Sequence, residues 1–219
     1  MKKAKLLLLA FLTVTMMFGC GKEEVVSEQS TEQPEAESVI IETGNMVTSY
    51  LTGKPVDEAI GRQRPLAVMF NNIEAGCPQT GISRADVVYE CPVEGRITRL
   101  MGIIENWHDL EKIGSIRSCR DYYLSFALEF DPIYVHFGQA TVYVGDMLNS
   151  DLVDNISGAV AGIERPANDA FYRTDDRKAP HNVYASAVGI MEDIEKFQYS
   201  LTYDEAYYRK FKIAKDGED

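Results

Sequence analysis

The chain has 219 residues, with 22 lysines and arginines against 34 acidic residues and a formal net charge of −12. Three of those lysines lie in an amino-terminal segment expected to be removed, which leaves 19 basic residues and a charge of −15. That balance argues against nucleic acid as a partner and against a general polybasic hold on anionic lipid. Any anion must be taken by a local cluster.

Lys2, Lys3 and Lys5 precede an uncharged run from Leu6 to Phe18, ending at Gly19-Cys20. Its 13 residues fall short of the roughly 20 that a spanning helix needs, so residues 1–19 read as a cleaved export signal. Gly19 supplies the small residue that lipoprotein signals carry before the cysteine, and Cys20 is the expected lipidation site. Ordinary secretion and an uncleaved anchor are the alternatives. Two or three acyl chains would hold the protein on the outer face of the cytoplasmic membrane, so the membrane is an expected partner through lipid alone.

Residues 20–63 are expected to form an acidic, flexible tether, because Gly21 to Lys54 is rich in Glu, Ser, Thr and Gln and poor in large apolar side chains. Residues 64–219, about 155 in all, suit one domain. Cys77, Cys91 and Cys119 lack the paired spacing of zinc sites. Export permits a Cys77–Cys91 disulfide, but unpaired structural cysteines are the favoured reading. Cys119, at an expected helix start, is the minor candidate for a reactive thiolate.

Along the domain, Pro65 to Asn71 reads as a buried strand, and Asp86 to Glu90 and Ile97 to Glu105 read as two more, joined by a turn over Pro92-Val93-Glu94-Gly95-Arg96. Ser118 and Asp121 have capping-box spacing ahead of Tyr123, Phe126, Ala127 and Phe130 at helical period, and Asp131-Pro132 ends that helix. Ile133 to Phe137 is a strand running into Gly138. Ser186 to Phe197 is an amphipathic helix with Ile190, Ile194 and Phe197 on one face. The fold class is α/β, a mixed sheet with flanking helices in a single domain after signal and tether, mixed because the early strands look hairpin-linked.

The runs RPLAVMFNN, GISRADVVYECPVEGRITRLM, IGSIRSCRDYY, IYVHFGQA and APHNVY occur in that order between Arg64 and Tyr184. In these the chain resembles the YerB-like lipoproteins of Gram-positive bacteria. The resemblance implies a lipoprotein signal and polar tether. It also implies an amino-terminal domain normally followed by a second one, so the chain reads as truncated. It carries no biochemistry, and the site has to come from side-chain chemistry.

Arg117-Ser118-Cys119-Arg120-Asp121 is the most informative cluster. With Ser118 as cap, free helix amides beside two guanidinium groups would receive phosphate or carboxylate. Pairing of Arg117 and Arg120 with Glu90, Glu94 or Glu105 is the scaffold alternative. His136, at a strand end before Gly138, and His181, which Asn182 can orient, are candidates for proton transfer or ligand contact, with scaffold hydrogen bonding as the alternative. The ligand-binding candidates are therefore Arg117, Ser118, Arg120, His136, His181 and Asn182. No cofactor and no metal is expected. Arg84-x-Asp86 followed by Ser115-Ile116 and Arg120-Asp121 is similar to elements of the LytR-CpsA-Psr phosphotransferases. Two inserted residues and a missing proline leave no catalytic residue to carry over. Two functions remain open: a binding module for an anionic cell-wall or lipid-linked ligand or a protein partner, or an enzyme acting on phosphate-bearing envelope substrates.

Overall fold

A computed structural model describes residues 44–158, 164, 166–167, 169–204 and 206–207. Cys20, the export signal and the tether up to residue 43 lie outside the described residues.

Folded structure starts well before the expected boundary at residue 64. β1 (Met46–Thr48) pairs antiparallel with β2 (Pro55–Asp57), and α1 (Glu58–Gly61) follows, its first turn capped by Asp57 accepting from Ala59 N at 2.8 Å. Ser49 is fully buried and donates to Glu105 Oε1 at 2.8 Å, while Gln63 Nε2 donates to the Glu105 carbonyl. The tether expected over 20–63 is corrected at this end. A polar segment orders here because its polar groups pair with the domain instead of with water.

The main sheet has five strands: β3 (Leu66–Asn71), β4 (Val87–Val93), β5 (Ile97–Ile104), β7 (Ile133–Phe137) and β8 (Asn155–Gly158), in the order β4-β5-β3-β7-β8. The first two neighbouring pairs are antiparallel and the last two parallel, which makes the sheet mixed. The unbroken apolar run of β3 suits a central strand covered on both faces. Leu66, Val68 and Phe70 enter one core with Ile113, Ile190 and Ile194, and Ala67 and Met69 enter the other with Tyr123, Leu124 and Val144. On the first face lie α4 (Ala187–Phe197) and a small sheet of β6 (Ile113–Gly114), β9 (Phe171–Arg173) and β10 (Val183–Ala185). On the second lie α2 (Asp121–Ala127) and α3 (Thr141–Leu148).

Two further boundaries differ from expectation. β4 runs on through Pro92 to Val93, leaving a turn of only Glu94, Gly95 and Arg96; proline is tolerated because β4 is an edge strand. α2 begins at Asp121 with Arg120 at the cap and no side-chain cap bond, because Ser118 Oγ donates to the Phe137 carbonyl at 3.3 Å. By contrast α4 has a side-chain cap, with Ser186 Oγ accepting from Gly189 N at 3.1 Å.

Candidate functional site

Parallel pairing of β3 with β7 covers Leu66 to Val68 and Ile133 to Val135 and then stops. Residues 115–119 insert where the two strands part. Asn71 N donates to the Ser115 carbonyl and Arg117 N to the Met69 carbonyl, both at 2.9 Å. On the other side Phe137 N donates to the Arg117 carbonyl at 3.1 Å and Cys119 N to the Gly138 carbonyl at 2.9 Å. The approach is close enough to require glycine at 138, where φ is +94° and a Cβ would lie 2.5 Å from Ser118 Oγ. The arginine motif thus stands at the carboxyl ends of the parallel strands, where α/β sheets gather ligands.

Three guanidinium groups meet here. Arg120 is forked onto Glu94, with Nε at 2.8 Å from Oε1 and Nη2 at 2.5 Å from Oε2. Arg117 Nη1 donates to the Pro180 carbonyl at 3.0 Å, and its Nε is buried without a partner. Arg99, 5% exposed, donates from Nη1 to the Ser118 carbonyl at 2.6 Å. Neither Arg99 nor Arg117 forms an ion pair among the described residues. Burial, then the charges of Arg120 and Arg117, pull Arg99 down to about 10, and burial followed by Arg120 lowers Arg117. The Arg120 hydrogen bonds hold Glu94 down at about 2. Arg99 and Arg117 thus bring to this end of the sheet two guanidinium charges that no carboxylate pairs among the described residues.

The other candidates separate. His181 joins the rim: its Nδ1 lies 2.9 Å from Asn71 Nδ2, an amide donor, which leaves the ring proton on Nε2. Burial and the charge of Arg117 lower its pKa. Asn182 does not orient that ring, because its amide bridges Arg173 and the Thr174 carbonyl at 2.8 Å each. His136 is wholly buried, with Nδ1 2.9 Å from the Gly138 carbonyl and Nε2 2.6 Å from Ser157 Oγ. Burial pushes it down to about 4, so it is neutral and sealed from ligand at neutral pH. Ser118 points into the strand junction, and α2, of seven residues and uncapped, offers no anion site of its own. Cys119 is buried and pushed up to about 12, so it is no thiolate, and Cys77 and Cys91 are free.

Sequence reasoning passed over Arg99, which sits in phase with the core residues Met101 and Ile103; a charge on the apolar phase of a strand was the available signal. It also passed over Gln139, whose amide atoms are both buried without a partner. No group of three or more His, Cys, Asp or Glu side chains converges as a metal-ligand set among the described residues. Two cavities, of about 220 and about 270 Å³, are lined by neither arginine of the motif nor by His136 or His181.

Residues 51–200 match the family described as "Protein of unknown function (DUF3048) N-terminal domain". The chain belongs to this family. Among its relatives is a Bacillus subtilis (strain 168) protein named "Putative lipoprotein YerB", 33% identical over 160 residues, or 73% of this chain. The chain spans about half the length of that relative, 46% of it. The crystal structure of YerB from Bacillus subtilis is similar with a TM-score of 0.63 and 33% identity, covering 71% of this chain and 51% of that one. The mixed α/β architecture of this DUF3048 domain agrees with that likeness.

Proposed function

We propose that this DUF3048 protein is a lipoprotein held on the outer face of the cytoplasmic membrane through Cys20, and that its α/β domain is a binding module for an anionic envelope ligand. The export signal ending at Cys20 and the name of the Bacillus subtilis relative support the anchor. The binding role rests on one observation: Arg99 and Arg117 stand beside Arg120 without an ion pair of their own, at the carboxyl ends of the parallel strands. A guanidinium fork matches the paired oxygens of phosphate or carboxylate, and a partly desolvated cluster holds them more strongly than an exposed lysine would. Binding is favoured over catalysis because, of the two histidines expected to move protons, His136 is sealed inside the domain and His181 at the rim has its Nδ1 engaged by Asn71.

Thermal unfolding of the full chain in phosphate, against chloride at equal ionic strength, tests this reading. An anion held only by the folded state at 100 times its Kd adds about 2.7 kcal/mol of stability. The rise in melting temperature is expected in the wild type and lost in Arg117→Gln. No phosphate-specific rise in the wild type would refute the reading.

A further inference from the structure

The Arg120 fork already holds an oxyanion, and that oxyanion belongs to the protein. Glu94 presents both carboxylate oxygens to Arg120 Nε and Nη2, the geometry in which guanidinium takes a carboxylate or a phosphate from a ligand. The contact is asymmetric. Arg120 is fixed: its side chain is 14% exposed, it sits at the start of α2, and its Nη1 donates to the Cys119 carbonyl at 2.6 Å. Glu94 is not fixed in the same way. Its side chain is 69% exposed at the tip of the β4–β5 hairpin, beside Gly95, where a Cβ would meet nothing within 4 Å. Among the described residues β4 has a neighbour strand on one side only. With Glu94 open to solvent, screening weakens the pair from that side, so the stability of the domain opposes release of Glu94 only weakly. Release would also raise the charge of the Arg99, Arg117 and Arg120 group by one unit in favour of an incoming anion.

We infer that Glu94 is a displaceable plug of the arginine rim, and that the ligand's phosphate group takes its place on the Arg120 fork. Phosphate is preferred to carboxylate because three guanidinium groups sharing one carboxylate leave more positive charge than a single negative charge neutralises. This inference rests on the binding role proposed for the same rim. Ligand binding is thereby coupled to the hairpin tip: the phosphate must drive Glu94 out, and the freed tip gains motion.

The test is a phosphate titration of the full chain, with acetate at matched ionic strength as the comparison anion. Glu94→Gln should tighten phosphate at least five-fold, in the range of ordinary coupling between two linked events. Glu90→Gln removes the same charge from β4 at a carboxylate bonded to Asn72 and Thr98, and should change phosphate affinity less than two-fold. Hydrogen exchange supplies a second readout: saturating phosphate should speed exchange of the amides from Glu94 to Ile97 in the wild type and leave them unchanged in Glu94→Gln. Equal effects of the two Gln variants, or slower exchange at the tip, would overturn the plug while phosphate binding lost in Arg117→Gln left the rim standing. Acetate binding as tightly as phosphate would overturn the ligand class. No phosphate binding by either the wild type or Glu94→Gln would remove plug and rim together.

Discussion

At the scale of single residues, His136 illustrates how burial decides a role. It is wholly buried, its Nε2 faces Ser157, and Ser157 in turn bonds Asn155 Oδ1 at 2.5 Å. The neutral ring is favoured because the cost of burying a charge outweighs the hydrogen bond that the Gly138 carbonyl offers the charged form. Its pKa is lowered from 6.5 to about 4, so between those values the unfolded chain takes up a proton that the folded chain refuses. Stability present at pH 7 is therefore lost as pH falls through that window, at up to about 1.4 kcal/mol per pH unit for this group. His108 and His181 shift in the same direction and add to the slope. In His136→Gln, urea midpoints at pH 7 and pH 5 should lie closer together than in the wild type. An unchanged separation would show that His136 protonates freely in the fold.

At the scale of elements, α2 is held by its buried face and by one hydroxyl more than by its own ends. Tyr123, Leu124 and Ala127 are fully buried against Met69, Met101 and Ile103. The Tyr123 hydroxyl accepts from Cys91 N at 2.9 Å and donates to the Arg99 carbonyl, so it stands between β4 and β5 as a rung of their ladder. Removing it leaves a partly buried amide and a buried carbonyl without that partner, at about 1–3 kcal/mol. Tyr123→Phe should therefore lower the stability measured by urea unfolding by that amount. A change of only a few tenths would mean that the two strands close up without the phenol. The same rung places Arg99 under the arginine rim, so the variant is expected to weaken phosphate binding as well.

Across the whole molecule, charge is divided along the sheet. The carboxyl ends of β3 and β7 carry the arginine rim. The opposite end carries Asp131, Asp151, Asp154 and Asp204 around Arg64. Arg64 is 6% exposed; it pairs with Asp131 at 3.0 Å and Asp154 at 2.5 Å and donates to the Ser200 carbonyl at 3.1 Å. It therefore ties the starts of β3, β7 and β8 to the segment that follows α4. Arg64→Met keeps the volume of the stem but strands two carboxylates. Because both retain a third or more of their exposure, the expected loss is about 3 kcal/mol, the low end for breaking a buried pair. A melting temperature unchanged from the wild type would refute that assignment.

Several things were legible in the sequence because they are set by local pattern. The unbroken apolar run of β3, the period of α4, the turn at Gly95 and the stop at Asp131-Pro132 each depend on residues a few positions apart. The mixed sheet followed from them. What only the tertiary structure decided depends on groups far apart in sequence. Ser118 caps no helix, because Phe137 draws its hydroxyl away. His181 is oriented by Asn71, 110 residues distant, and not by its neighbour Asn182. Strands of two to four residues in β6, β8, β9 and β10 carry too few positions for a period, and α3, with Thr141, Val142, Val144 and Gly145, reads locally against helix. Burial of His136 and the meeting of Arg99 with Arg117 and Arg120 likewise arise from packing. Solvent exposure and charge proximity are properties of the assembled sheet, and no window along the chain contains them.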